Sequence, residues 1–388
     1  LKMPSCSRDR SRPEDAFDVV LVGIAARGLA ASARRAGLKP LVLDLFADED
    51  TRALAARSVQ LARRDGLALD PDDLFAQLGR HAGRDTPLVL GAGFEDSPDL
   101  VARLGARYRL AGSGAEAIAA VKQPFDFAEG LATLGIPHPR VFSGPAPNGV
   151  PTLEKRVGGS GGGHVRPSPQ ARGPGWYLQE RVDGRAVSAL FLGNGRAARL
   201  LAFSEQWCAP AEGAPFRYGG CAGPLAPEPA LVAEIDSALS RLTASVGLTG
   251  LASADLILGA GTWHLIEVNA RPGATLDIFD APPLPPLLRL HLDACAGELP
   301  DLPLLVAGAG VEVRAAGVFY APAPIEVRDA LPHWAADRPA PGTRIAAGEP
   351  VCTVQATGRD LAEACAVLAR RMNHLSRALG TAGRAAAE

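Results

Sequence analysis

The stretch best equipped for chemistry is Leu265-Ile266-Glu267-Val268-Asn269-Ala270-Arg271-Pro272-Gly273. Side chains of a strand alternate between its two faces. Glu267, Asn269 and Arg271 therefore share one face, with Ile266 and Val268 on the other. A carboxylate and an amide oxygen suit a hard cation such as Mg²⁺, which commonly shares its oxygen ligands with substrate phosphates. An arginine beside them can hold a transferring phosphoryl group. Asp255 stands twelve positions before Glu267, and a turn at Gly259-Ala260-Gly261 folds the two strands together. Two carboxylates and an amide so placed could hold Mg²⁺ between nucleotide phosphates.

Three further segments carry polar chemistry. Glu154-Lys155-Arg156-Val157 runs into Gly158-Gly159-Ser160-Gly161-Gly162-Gly163. A lysine leaving a strand can pair with phosphates, and successive glycines let backbone N–H groups approach phosphate oxygens. No Lys-Ser or Lys-Thr follows the glycines, so this is not a P-loop, and taken alone it reads equally as a flexible linker. Tyr177 to Gly184 reads as a strand leading to a hinge. Such a segment offers an adenine ring both backbone hydrogen bonds and apolar cover, and Glu180 could accept from the exocyclic amine or the ribose. Phe216-Arg217-Tyr218-Gly219-Gly220 follows Glu205-Gln206-Trp207. Arg217 and Tyr218 could grip a substrate carboxylate, or belong to a plain surface loop.

The elements that must position these groups follow from hydrophobic patterning. Asp18 to Gly23 reads as a buried strand, Leu29 to Ala36 as a helix, and Pro40 to Leu43 as a second strand ending at Asp44. This is a doubly wound β-α-β unit without the full G-x-G-x-x-G fingerprint. A strand at Pro87 to Leu90 ends in Gly91-Ala92-Gly93-Phe94-Glu95, which reads equally as a candidate substrate loop, with Glu95 at a strand's carboxyl end, or as a plain turn. Ser113 with Glu116 reads as a capping box for a helix running to Lys122. A second helix covers about Phe127 to Leu134. Strands are expected at Thr152–Val157, Trp176–Arg181, Ala186–Leu192, Ala197–Gln206, Ala254–Leu258 and Thr262–Val268, with a helix at about Ala230 to Val246. Strands at Gly310–Phe319 and Gly348–Gln355 follow. Leu361, Cys365, Leu368, Met372, Leu375 and Leu379 then mark an amphipathic helix.

Composition narrows the function classes. Lys+Arg number 40 against 42 Asp+Glu, which argues against nucleic-acid binding through bulk charge. No apolar run approaches the ~18 residues of a membrane span. The six cysteines are scattered, without zinc spacing, and suit free thiols in a reducing cytoplasm. Leu1 to Glu14 is polar and reads as a disordered tail.

In their order and spacing these motifs resemble the ATP-grasp superfamily, over about Asp18 to Asp280. The residues that carry the resemblance are Lys122, Lys155 with its glycine loop, Gln179-Glu180 before Val182-Asp183-Gly184, and Asp255…Glu267-Val268-Asn269-Ala270-Arg271-Pro272. The resemblance implies an α/β (α+β) ATP-grasp fold. Its parts would be a disordered tail (1–14), a doubly wound pre-ATP-grasp domain (15–112), an ATP-grasp domain (113–295, lid about 137–187) and a small C-terminal α+β module (296–388). It implies that ATP phosphorylates a substrate carboxylate and that an amine or other nucleophile attacks the acyl phosphate; the alternatives are a bicarbonate-activating carboxylase relative and a non-catalytic ATP-binding regulator. Lys122, Lys155, Gly159, Ser160, Gly161 and Gly162 would then face ATP phosphates, and Gln179, Glu180 and Val182 the adenosine. Asp255, Glu267 and Asn269 would hold Mg²⁺ or Mn²⁺, and Arg271 with Lys155 would act at the transferring group. Asp255 stands where many members carry Glu or Gln. The expected partners are a small carboxylate and an amine, with no nucleic acid or membrane, and the superfamily admits a homodimer. Gly342-Thr343-Arg344-Ile345 and Gly348-Glu349-Pro350-Val351 resemble the trailing domain of biotin-carboxylase-like members. That branch includes predicted carboligases associated with tetrahydromethanopterin or methylofuran one-carbon pathways.

Overall fold

The computed structural model describes residues 16–259, 261–308 and 310–384. The expected tail at 1–14, Cys6, and Ala260 of the expected turn lie outside the described residues.

The chain opens with β1 (Val19–Gly23), α1 (Arg27–Arg35), β2 (Pro40–Asp44), α2 (Glu49–Leu54), β3 (Arg57–Gln60), α3 (Pro71–His81), β4 (Leu88–Leu90) and α4 (Pro98–Gly105). The four strands form a parallel sheet in the order β3-β2-β1-β4. All residues of β1, β2 and β4 are buried, because helices cover both faces of a parallel sheet. Parallel strands end on one edge, so the loops after Gly23, Asp44 and Leu90 emerge together there.

Next come α5 (Ala115–Lys122) and α6 (Pro124–Thr133). Ser113 does not cap α5, contrary to the capping-box expectation. The N-cap residue is Gly114, with no side-chain cap hydrogen bond. Ser113 Oγ instead donates to Thr249 O (3.2 Å) and accepts from Thr249 N (3.1 Å). A buried strand start with both backbone groups to satisfy outcompetes the helix end for the one hydroxyl.

A small antiparallel sheet in the order β5-β8-β6-β7 follows, built from β5 (Val141–Phe142), β6 (Thr152–Arg156), β7 (Arg166–Pro167) and β8 (Trp176–Glu180). Then come β9 (Arg185–Asn194), β10 (Ala198–Cys208), β11 (Tyr218–Gly223), α7 (Pro229–Val246), β12 (Thr249–Leu258), β13 (Trp263–Asn269), α8 (Leu276–Phe279) and α9 (Leu287–Cys295). The last elements are β14 (Val313–Tyr320), β15 (Ile325–Glu326), β16 (Ala335–Ala336), β17 (Arg344–Ile345), β18 (Pro350–Gly358) and α10 (Leu361–Arg384).

Eight of these strands form one antiparallel sheet, β13-β12-β9-β10-β11-β14-β18-β16. The C-terminal strands thus extend the central sheet, through β11 pairing with β14. Alternation along β9 divides the core. Phe191 joins Phe203, Leu239 and Leu242 on the α7 side, and Leu192 joins Leu251, Leu288 and Ala294 on the α9 side. Helix α10 lays Leu368, Leu375 and Leu379 over Val354 and Ala356 of β18.

One buried arginine ties the three regions. Arg27, at the start of α1, donates to Asp337 (Nε–Oδ1 3.0 Å) and to Asp277 of α8, and Asp50 stands 4.0 Å from its Nε. Asp50 in turn accepts from Asp337 N and Arg338 N, both at 2.9 Å.

Candidate active site

The β12–β13 hairpin places Asp255 directly opposite Glu267 and Ser253 opposite Asn269. Asn269 Nδ2 donates to Asp255 Oδ2 at 3.2 Å. Ser188 and Gln206, from the neighbouring strands, also hydrogen-bond to Asp255. Burial and the nearby Glu267 push the Asp255 pKa up. Burial opposes ionisation of Glu267 too, but Lys122 and Lys155 outweigh it and hold its pKa down.

Lys122 closes α5 above this pair. Its Nζ donates to Glu267 Oε1 and to Asn269 Oδ1 (3.1 Å). A carboxylate and an amide oxygen thus already converge on a cation, as an oxygen-liganded divalent ion requires. Asp255, Glu267 and Asn269 offer only oxygens for such an ion, and their chemistry fits Mg²⁺.

Lys155 approaches from the small sheet. Alternation on β6 sends Glu154 and Lys155 to opposite faces. Glu154 is buried with Arg166 (2.8 Å) and Arg172 (3.3 Å), both of which stack on Trp176. Lys155 faces a cleft of about 640 Å³, together with Lys122 and Glu267. Burial lowers its pKa, with Glu267 and Asp255 partly offsetting the effect.

The cleft's apolar walls with a few convergent polar groups suit a small-molecule site. Phe127, Leu131, Val141, Leu265 and Ile266 give it apolar walls, and Tyr177 and Gln179 face it from β8. Gly158, Gly159, Gly162 and His164 form the glycine-loop side. Gly158, Gly161 and Gly162 all have left-handed φ, of 68°, 70° and 71°. Gly161 O accepts from Tyr218 N at 2.9 Å, which fastens the loop to the start of β11. The half-buried imidazole of His164 has its pKa lowered to about 4, by burial and by the charges of Lys155, Arg156 and Lys122.

Other expected site residues lie elsewhere. Ser160 and Gly161 are exposed at the loop tip, outside the cleft lining. Glu180 is not in the cleft, because alternation on β8 points it away from the Tyr177–Gln179 side. There Arg140 holds it through two hydrogen bonds, Nε–Oε2 2.8 Å and Nη2–Oε1 3.0 Å. Val182, in the following turn, does not line the cleft either. Arg217 stacks on Tyr320 with its Cζ 3.6 Å from the ring centroid, and donates to Ala209 O and Gly348 O. Its guanidinium is therefore committed to the C-terminal strands. The half-buried Tyr218 phenol lies beside Cys221, near Asp277 and Asp255. Glu205 is taken by Arg185.

Glu95 meets Arg271, Nε–Oε1 2.8 Å, at the mouth of a second hollow lined by Phe94, Leu110, Ile118 and Val121. Its other oxygen accepts from Gly93 N (2.7 Å) and Phe94 N (2.9 Å). Burial disfavours its charge, but Arg271, Lys122 and these N–H groups hold its pKa at about 2. Glu95 thus orients and neutralises Arg271. The wall residues Phe127, Leu131 and Ile266 carry no local sequence signal that marks them as site residues. Tyr177 carried a usable signal, since it shares strand parity with Gln179.

The sequence profile of the ATP-grasp domain matches residues 125–275. No curated protein matches the chain by sequence. Among solved structures, the chain is similar to the biotin carboxylase of Campylobacter jejuni in a β-γ-ATP complex. The TM-score is 0.69 at 12% identity, over 91% of this chain and 90% of that one. It is similar to the biotin carboxylase domain of the Hydrogenobacter thermophilus 2-oxoglutarate carboxylase, in complex with MgADP, ADP and bicarbonate, with TM-score 0.66, 13% identity, and 87% and 86% covered. It is also similar to the N5-carboxyaminoimidazole synthetase of Staphylococcus aureus, with TM-score 0.65, 15% identity, and 92% and 98% covered. Residues 125–275 thus match an ATP-grasp domain, and the architecture that surrounds them is the ATP-grasp fold.

Proposed function

We propose that this protein is an ATP-dependent ligase that joins a small carboxylate to an amine. The observation that carries this reading is the convergence of Lys122, Lys155 and Glu267 at one cleft with apolar walls and a glycine loop, with Asn269 bound to Lys122 behind them. Adenosine would lie between the Phe127–Leu131 and Leu265–Ile266 walls, with its edge toward Gln179. Lys155 and Lys122 would hold the phosphate oxygens. Asp255, Glu267 and Asn269 would hold Mg²⁺, which supplies charge neutralisation between phosphates.

In the first step a carboxylate oxygen of the substrate attacks the terminal phosphorus, and the bond to the leaving ADP oxygen breaks. Arg271, fixed by Glu95, would face the negative charge on the transferring group. The amine lone pair then attacks the acyl carbon, the C–O bond to phosphate breaks, and the nitrogen loses a proton. The glycine loop would keep water from the acyl phosphate. No protein nucleophile is needed, since positioning and charge stabilisation carry the chemistry.

A second reading makes bicarbonate the activated carboxylate. The carboxylase-type structural neighbours favour it, one of them in complex with bicarbonate.

The test is phosphate release from ATP and Mg²⁺ against pools of carboxylates, amines and bicarbonate, with mass detection of products. The pools include pterin and furan acceptors of the one-carbon type, and scattering on the same sample tests the homodimer. Phosphate release that requires one acid–amine pair supports the ligase, and release that requires bicarbonate supports the second reading. Glu267→Gln is expected to lower turnover at least about 100-fold with the fold intact, as loss of one charge-stabilising group does. Wild-type turnover in that variant would refute the assignment.

A further inference from the structure

His164 follows the last glycine of the loop, and its imidazole folds back over that loop. A methyl group built on Gly159 would lie 2.5 Å from His164 Cε1 and Nε2, and 2.7 Å from Nδ1. The ring therefore fills the space that any side chain at position 159 would take. Gly159 is not among the residues with left-handed φ, so what glycine supplies there is room rather than conformation. The ring lines the cleft with Lys122, Lys155 and Glu267. Among the described residues neither ring nitrogen has a hydrogen-bond partner. A half-buried donor with no protein partner, facing a cleft of this chemistry, is placed for a ligand oxygen.

We propose that His164 is the loop's direct contact to the terminal phosphoryl group of the nucleotide. One neutral N–H would donate to a phosphoryl oxygen, and the bare backbone at Gly159 would hold the ring in position. The neutral ring adds a donor without adding charge to a cleft that already holds two lysines. Terminal phosphate, rather than nucleoside, is indicated by the ring's company. The charges of Glu267, Lys155 and Lys122 act on the ring, which places it at the polar end of the cleft rather than beside the apolar walls. The contact would form only when the loop covers the nucleotide, so it reports closure to the reacting group itself.

This proposal rests on the ATP-ligase reading, and the experiment separates the two. Titration calorimetry would measure MgADP and the Mg complex of a non-hydrolysable ATP analogue on wild type, His164→Ala, His164→Asn and Gly159→Ala. His164→Ala is expected to bind the triphosphate about 10- to 100-fold more weakly, as for one lost hydrogen bond to a charged group. Its ADP affinity should stay within about twofold, because the missing contact is to the phosphoryl group that ADP lacks. His164→Asn, which keeps an N–H donor, should recover most of the loss. Gly159→Ala should reproduce the defect by displacing the ring, and should add nothing in the His164→Ala background. Equal loss for both nucleotides would show that His164 only shapes the loop, and would overturn the proposal. Unchanged affinity for both would overturn it as well. A wild-type protein that binds neither nucleotide would refute the ligase reading instead, before any variant is compared.

Discussion

Gly162 is where a side chain on the glycine loop would meet the body of the protein most closely, so Gly162→Ala should act chiefly on loop closure. A Cβ there would lie 2.0 Å from Phe216 O and 3.0 Å from its carbonyl carbon. The obstacle is backbone, and no rotamer relieves it. Nor can the carbonyl easily retreat. Tyr320 Oη donates to Tyr218 O at 2.8 Å, and Arg217 is stacked on Tyr320. The loop must therefore lift, which breaks the bond from Tyr218 N to Gly161 O. The left-handed φ of 71° adds about 1–2 kcal/mol for an alanine. The lost hydrogen bond adds about 0.5–1.5 kcal/mol. Together they give about 1.5–3.5 kcal/mol against the closed loop, or roughly 10- to 400-fold in its population. The KM for ATP should rise, kcat/KM should fall by that factor, and loop residues 158–163 should become more sensitive to protease. The melting temperature should stay within a degree or two, because an exposed loop contributes little to global stability. Wild-type KM and wild-type proteolysis in this variant would refute the argument that the closed position matters.

Other perturbations probe the remaining parts. Arg27→Met leaves Asp277 and Asp337 buried without their cation, and should cost about 3–5 kcal/mol in denaturant unfolding; a loss under about 1 kcal/mol would show that the junction is not electrostatically held. Gln179→Ala should weaken ATP binding while Glu180→Ala leaves it near wild type, because only Gln179 faces the cleft; the reverse result would place the adenosine on the other side of β8. His291 is fully buried and burial lowers its pKa to about 4. The unfolded chain takes up that proton near the ordinary histidine value and the folded chain does not. Its contribution to stability should therefore be complete above about pH 6.5 and fall by roughly 3 kcal/mol on the way down to pH 4. Urea midpoints of wild type and His291→Gln across this window test it, and parallel curves would refute it.

The hairpin was legible because parity is a local property. A twelve-residue interval across a glycine turn returns Asp255 and Glu267 to the same face, and the observed register sets them opposite one another. Glu180 failed for the same reason read incompletely. If Tyr177 and Gln179 face inward, Glu180 cannot, but its partner Arg140 lies forty positions away and the local sequence does not announce it. Ser113 carried a sound capping signature, yet its hydroxyl went to Thr249, 136 positions on. Strand β11 was invisible as a strand, since Tyr-Gly-Gly-Cys-Ala-Gly lacks the branched residues that mark one. Its glycines serve close approach: a Cβ on Gly220 would stand 2.4 Å from Ala316 O of the paired strand. With β11 unseen, the union of the C-terminal strands with the central sheet could not be inferred.

Lys122 explains how the cleft stays stable with so much charge so close. Its ammonium rests on the carboxylate and amide oxygens that a divalent cation would use. Lys155, meanwhile, is a buried cation whose charge burial disfavours. Two lysines balance two carboxylates, Asp255 and Glu267, so the resting site is close to neutral. A polyanionic nucleotide that arrives with its divalent cations keeps that balance. The phosphates would draw both ammonium groups, and the oxygens that Lys122 releases, on Glu267 and Asn269, would then be free to hold a divalent cation. Either component alone would leave one set of buried charges unmatched, at a cost of several kcal/mol per ion. On the proposed reading, the arrangement would therefore favour the metal–nucleotide complex over the free nucleotide or the free metal, through the position of a single helix-terminal lysine.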